Sequence, residues 1–406
     1  MYKQKAMSGG QPRGKDTRMK YAKLFLSAAA LLAALLLAGC RSGKIPEDHP
    51  ADVTQEPAVT EAPTPEPTAE PTAEPTEVPE PTATPEPTAA PEPTEAPEEV
   101  HFYSPHFEAA IRRILHKNGE PIYMSEILAV KKLELNSTGL FILNDLSMFK
   151  NLEVLSICSN GIEDISAVAS LTKLKEFRVV GNRIRDYSPI AGLTELRHLS
   201  IGDNAFPIKD TSIFNDLTKL EYLELRAPFS SDLSFLSGMK ELKHLSLFNA
   251  ENEDCLRGIE NCVNLEDLFV HGSVKDVSPL AELKCIRSLS LWIEATDYSP
   301  LAGLDMLEDL SIICLPNSEL DALSGLEKLT KLTVCRSGIK DISFVSGMKR
   351  LTDLNLSENE ITDLTPLYGL ERLADLSISD NPLTVEQVEE LRAKLPGCNV
   401  RFRIDD

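Results

Sequence analysis

From about residue 130 onward, apolar and polar positions recur in one fixed order. The cleanest instance is Leu351-Thr-Asp-Leu354-Asn-Leu356-Ser-Glu-Asn359-Glu-Ile361-Thr-Asp-Leu364-Thr-Pro-Leu367. Leu354 and Leu356 are two apart, so on a strand they share one face while Asn355 points to the other. Leu351, Ile361, Leu364 and Leu367 turn the rest of the coil toward the same core. Asn359 falls where the chain must bend, and its amide can donate to and accept from backbone groups that no ladder reaches. The template places a strand leucine, or its substitute, at Leu133, Leu155, Phe177, Leu199, Leu223, Leu245, Leu268, Leu289, Leu310, Leu332, Leu354 and Leu376. The intervals are 22, 22, 22, 24, 22, 23, 21, 21, 22, 22 and 22 residues, a register that chance does not hold.

The order Leu-x-x-Leu-x-Leu-x-x-Asn-x-Ile-x-x-Leu resembles the leucine-rich repeat. One such coil cannot bury its apolar face alone, so copies must stack. The expected fold is an α/β solenoid over residues 130–383, a curved right-handed coil of about 12 repeats of about 22 residues. Its parallel sheet lines the concave face, and twelve strands about 4.8 Å apart make that face ~55 Å long.

The first forty residues have another pattern. Lys20 and Lys23 precede the apolar run Leu24–Leu37, which ends in Ala38-Gly39-Cys40, the order of a secretory leader. At about fourteen residues the run falls short of the ~20 that span a bilayer as a helix. Leu37-Ala-Gly-Cys40 resembles a bacterial lipobox, which implies lipid on the Cys40 sulfur, cleavage before it and retention at the membrane. Residues 1–18 are long and polar for a leader, so Met19 is the expected start of translation. Residues 40–100 hold 15 of the 27 prolines, with glutamate, threonine and alanine and no aromatic residue. Such a segment cannot form a core and is expected to be a disordered spacer, up to ~190 Å long at about 3.1 Å per residue. A weaker alternative is a proline-rich ligand for a recognition domain.

Both ends of the solenoid need polar covers. Within 101–129, Ser104 is a suitable N-cap and Pro105 a suitable first helical residue, with Phe107, Ile111, Ile114 and Leu115 on one apolar face. A second turn is expected at Ser125–Leu128. Within 384–406, Thr384-Val-Glu-Gln387 has capping-box spacing; the helix it starts buries Val388, Leu391 and Leu395 and yields to a strand over Asn399–Ile404. The N-terminal cap, the turns Asp164-Ile-Ser, Asp341-Ile-Ser and Asp363-Leu-Thr, and the lipobox together resemble the internalin-like surface proteins of Gram-positive bacteria. That resemblance covers residues 101–406 and implies a cell-surface binding protein, lipid-anchored outside the cytoplasmic membrane, with a protein or glycan ligand. The sortase motif and wall-binding repeats of some members do not occur in this sequence, and host-cell invasion is unsupported.

Charge narrows the partners. Past the leader there are 34 Lys/Arg against 62 Asp/Glu, a formal charge of −28. Nucleic acids and anionic membrane surfaces need a basic footprint and are therefore not expected partners. The chain is expected to be a monomer. No His-x-x-x-His, Cys-x-x-Cys, phosphate loop or nucleophile elbow appears, so neither an enzyme nor a cofactor is expected. His244, Asp267 and His271 on adjacent expected strands are the one set with metal-ligating side chains, and polar residues on an exposed sheet are the default reading, so no metal is expected. Besides Cys40 there are seven cysteines, and Cys262 sits at a core position. Free thiols are favoured, with Cys255–Cys262 or Cys262–Cys285 the alternatives close enough to bridge.

Reading across the repeats locates a candidate surface. The residues between and just after the strand leucines are mostly small and polar at both ends. In the middle they include Arg226, Phe248, Phe269, His271, Trp292 and Ile313, flanked by Tyr222 and His244. Aromatic residues with an arginine are the usual material of binding hot spots; packing among themselves is the other use for them. The irregular intervals fall in this same stretch, and there Pro228, Ala250, Ser273, Glu294 and Leu315 replace the bend asparagine. Departures from a consistent pattern are expected where function sits, which favours binding. For the anchor, Cys40→Ala should release the protein into the medium, and persistent membrane retention on cell fractionation would refute the lipobox assignment.

Overall fold

The structure, a computed structural model, describes residues 98–203, 206–226, 233–250, 252–253, 255–313 and 320–403. The leader, Cys40 and nearly all of the spacer, together with Asn204, Pro228, Cys314, Leu315 and Ile404, lie outside the described residues. Thirteen strands form one sheet in strict chain order. They are β1 (Lys132–Glu134), β2 (Val154–Ser156), β3 (Glu176–Arg178), β4 (His198–Gly202), β5 (Tyr222–Arg226), β6 (His244–Ala250), β7 (Asp267–Gly272), β8 (Ser288–Trp292), β9 (Asp309–Ile313), β10 (Lys331–Val334), β11 (Asp353–Asn355), β12 (Asp375–Ser377) and β13 (Asn399–Arg401). All pairings are parallel, and each of the twelve expected leucine positions lies opposite the next, from Leu133↔Leu155 to Leu354↔Leu376. All twelve are at most 3% exposed, and burying each one fully stabilises the fold by ~1.5–3 kcal/mol.

The coil returns through a short 3-10 turn, and one carboxylate opens it. The Asp164 carboxylate accepts the Ser166 N–H at 2.7 Å, and Asp276, Asp297, Asp341 and Asp363 do the same for the residue two further on. In the coils that carry it, the bend asparagine closes the leaving edge of the strand. Asn359 Nδ2 donates to the Val334 carbonyl at 2.7 Å and the Leu356 carbonyl at 2.9 Å, while its Oδ1 accepts the Ser337 N–H at 3.1 Å. One amide thus satisfies its own coil and the coil before it. Asn160, Asn182 and Asn381 repeat the arrangement. The residue before each takes a left-handed turn, with φ of 55° at Ser159, 72° at Gly181 and 57° at Glu358 and Asp380.

The caps depart from expectation in detail. Helix α1 (Pro105–Ile114) starts at Ser104, whose Oγ accepts the Phe107 N–H at 3.3 Å, and buries Phe107, Ala110 and Ile111. Ile114 was expected on that face but is exposed, because Ala110 takes the inward position. The second turn is helix α2 (Met124–Ala129). Helix α3 (Val385–Lys394) has both bonds of the expected capping box. The strand expected after it runs over Asn399–Arg401 and joins the repeat sheet, where β13 pairs with β12, Val400 against Leu376. Cys262, Cys285 and Cys398 are free thiols, so neither candidate bridge through Cys262 forms. Burial pushes the Cys262 thiol up to about 11.

Removing one bend amide leaves several buried backbone groups without partners. Asn359→Ala should therefore lower stability by about 2–4 kcal/mol. Ser273→Ala, at a bend position already lacking the amide, should cost under about 1 kcal/mol. Urea denaturation of the two variants checks the difference.

Candidate functional site

The candidate surface exists because the middle strands are longer. Strands β2, β3, β11 and β12, whose coils carry the asparagine, run three residues. Strands β5 to β9, whose coils lack it, run five, seven, six, five and five. A strand that does not turn after its second leucine keeps one more outward residue in the sheet. Burial alternates accordingly in β5, β8 and β9: the leucines are buried and the three flanking residues half-buried. The added row runs in register, Phe248↔His271, His271↔Trp292 and Trp292↔Ile313. At its start Gly202 lies opposite Arg226, and a Cβ at Gly202 (φ 124°) would meet the Arg226 backbone at 2.3 Å. The 23-residue interval is absorbed at Asn249, a left-handed bulge (φ 57°) between Phe248 and Ala250.

On this lattice the expected residues form two ring clusters. In the first, the Arg226 guanidinium lies 4.6 Å above the Phe248 ring, which is 4.7 Å from Phe269. Phe269 meets Trp292 edge-on at 5.6 Å, and His271 meets the same indole at 6.3 Å. Ile313 follows Trp292 in register. In the second, Tyr222 lies 6.0 Å from His244, whose Nδ1 is 3.5 Å from the Asp267 carboxylate. The rings pack on one another, and none turns into the core. The Trp292 indole N–H is buried and meets no acceptor among the described residues.

Three residues of the site were not singled out from the sequence. His198 stacks on Tyr222 at 4.0 Å and 6° between planes. Glu224 and Asp203 hold Arg226 from two sides, Asp203 at 3.4 Å. Scanning the residue before each strand leucine would have found His198, since that row places it next to Tyr222 and His244. The His244–Asp267–His271 set does not converge. His271 is four residues beyond Asp267 on the same strand, about 13 Å away, and its ring faces Trp292 instead. No three His, Cys, Asp or Glu side chains gather for a metal among the described residues.

Burial sets the electrostatics. It lowers His198 to about 3, with help from the Arg178 and His244 charges, and it lowers His271 as well. It pushes Tyr222 up to about 12, with Glu224 adding to the effect. Both histidines are therefore neutral at pH 7, and the surface offers rings and one braced guanidinium. A hollow of about 380 Å³ lined by Arg185, Phe206, Ile208 and Ile213 lies apart from this surface, in the turn that absorbs the 24-residue interval.

The leucine rich repeat family pattern matches residues 327–383. No curated protein matches the chain. Among solved structures, an internalin of Listeria monocytogenes is 28% identical, with a TM-score of 0.67 over 78% of this chain and 95% of its own. A leucine-rich repeat protein of Leptospira interrogans is 20% identical, with a TM-score of 0.55 over 67% and 84%. The Drosophila receptor Toll, solved with Spatzle, is 16% identical, with a TM-score of 0.53 over 68% of this chain and 40% of its own. The chain has the leucine-rich repeat fold and is structurally similar to a Listeria internalin.

A histidine held near pKa 3 in the fold and near 6.5 when unfolded takes up its proton preferentially in the unfolded state. Its contribution is therefore fully present above pH 6.5 and is lost between pH 6.5 and 3. His198→Phe should flatten the fall in stability over that window by a few kcal/mol. Urea denaturation at pH 7 and pH 4.5 measures it.

Proposed function

We propose that this chain is a non-catalytic binding protein, tethered outside the cell by lipid on Cys40, which captures a protein ligand on the strand face of its repeats. The observation that carries this function is the ladder Arg226–Phe248–Phe269–Trp292, unbroken across four adjacent strands of an open sheet. Aromatic residues beside an arginine offer large rigid contact area at low entropic cost, the composition that dominates protein interfaces. A protein fits better than a glycan, because the rings pack against one another at tilted and edge-on angles in place of a flat stacking platform. Phe248 lies between the Arg226 guanidinium and Phe269, leaving edges rather than open ring faces for a sugar to stack on.

Related architecture supports the same class of function. Toll, with the same fold, was solved in complex with a protein, Spatzle. The tether rests on Leu37-Ala-Gly-Cys40 and the proline-rich spacer behind it. No helix among the described residues is long and apolar enough to cross a membrane, which leaves lipid as the proposed attachment.

Capture from an extracellular protein extract should distinguish wild type from Phe269→Ala/Trp292→Ala. Loss of one or more partners, about tenfold or more as expected for hot-spot truncation, supports the strand-face site. Equal capture by both proteins would sink it and leave a scaffold or spacer role.

A further inference from the structure

The class of partner can be read from the charges beside the ladder. The row two residues before each strand leucine mixes both signs from Lys131 to Glu308 and forms ion pairs along itself. Glu153 lies 3.0 Å from Lys131 and 2.7 Å from Lys175, and Arg287 lies 2.8 Å from Glu308. The next row faces outward with the rings, and from β7 to β12 it reads Asp267, Ser288, Asp309, Lys331, Asp353 and Asp375. That is four acids to one base. Asp309 is half-buried and has no ion pair among the described residues, and Lys331 beside it bridges to neither neighbouring aspartate. Between this row and the ladder lies an uncharged strip, Ser290, Ser311 and Thr333.

Resting on the binding function proposed above, we infer that the strand face selects a cationic protein segment. The segment seats an apolar side chain against Phe269 and Trp292 and places lysine or arginine over Asp309 and Asp353. The spacing suits an extended chain. The aspartate row lies four residues, about 13 Å, from the row of Trp292 and Ile313 and two residues, about 7 Å, from that of Phe269, and strands are about 4.8 Å apart across the sheet. The serine and threonine hydroxyls between the rows can meet its backbone groups. Asp375 is already paired with Arg401 at 2.9 Å and Asp267 lies 3.5 Å from His244, which leaves the Asp309 and Asp353 carboxylates without an ion pair among the described residues, and a partner that brings the two missing cations explains this asymmetry.

The test uses the full-length protein and four probes: the synthetic decapeptides (Lys-Phe)5, (Glu-Phe)5 and (Lys-Gly)5, and the pentamer of N-acetylglucosamine. Trp292 is the only tryptophan, so its emission reports occupancy of the site directly. Burial, together with Asp267 and Asp353, already pushes the Asp309 carboxyl up, so Asp309→Asn/Asp353→Asn is expected to fold. The expected result is tighter binding of (Lys-Phe)5 than of either other peptide, weakened roughly fivefold in that variant. If (Lys-Phe)5 binds the variant as tightly as wild type, with Phe269→Ala abolishing binding, the site stands and the cationic class is overturned. Binding that neither Asp309→Asn/Asp353→Asn nor Phe269→Ala alters reports attraction to the acidic spacer and overturns both. A shift in Trp292 emission with the sugar pentamer and with no peptide overturns the inference in favour of a glycan.

Discussion

The constraint on which this solenoid turns is the obligation of buried backbone groups to find partners. A coil that bends sharply after a three-residue strand strands its own carbonyls and amides inside the stack. The Asn359 amide resolves this by bonding to the Val334 and Leu356 carbonyls together with the Ser337 N–H, so two coils share one side chain. Because each amide serves its own coil and the one before it, β1 and β10 stay short although their bend positions hold Thr138 and Ser337. Coils five to nine neither carry the amide nor precede a coil that does. There the backbone satisfies itself by continuing the ladder, and the strands lengthen. The longer strands carry a third outward row, which is where Arg226, Phe248, His271, Trp292 and Ile313 stand; β4 is also five residues long although its coil holds Asn204, so the missing amide accompanies the lengthening without being its sole cause.

Much of the fold was legible because it follows from period alone. The twelve strand leucines all occupy the second residue of their strands, since no other phase buries both apolar positions. The ladder was legible for the same reason: once the phase is known, alternation says which side chains face outward. Their contacts were not. That His198 stacks on Tyr222, or that Asp203 reaches Arg226, depends on rotamers and on the bulge and turn that absorb the irregular intervals. The last strand was legible as a strand, but its place in the sheet was not, because Val400 lies 24 residues beyond Leu376 with a helix between them and the repeat template does not reach it. The supposed metal set failed on distance along the strand, since sequence adjacency on neighbouring strands says nothing about which row a residue joins.

The two halves of the electrostatics follow from where the charges sit relative to that third row. Lys131, Glu153 and Lys175 lie at the strand entrances and form exposed pairs of small individual worth, which fix the mutual register of the coils more than they stabilise them. Asp267, Asp309, Asp353 and Asp375 lie one residue further on, on the outward face. Self-repulsion among them is tolerable only because many buried leucines and shared amides already hold the coils together.

Regular and irregular coils therefore share one repeating sequence, and the candidate surface lies mainly on the irregular ones. The terminal coils keep the asparagine, the small polar outward residues and the tight turns, and their regularity makes them interchangeable. The central coils give up the shared amide and gain a braced arginine and a run of packed rings. A solenoid tolerates this because each coil contacts only its neighbours, so a locally costly pattern in the middle does not propagate to the ends. The consensus thus marks the scaffold, and the stretch where it breaks marks the surface free to recognise something else.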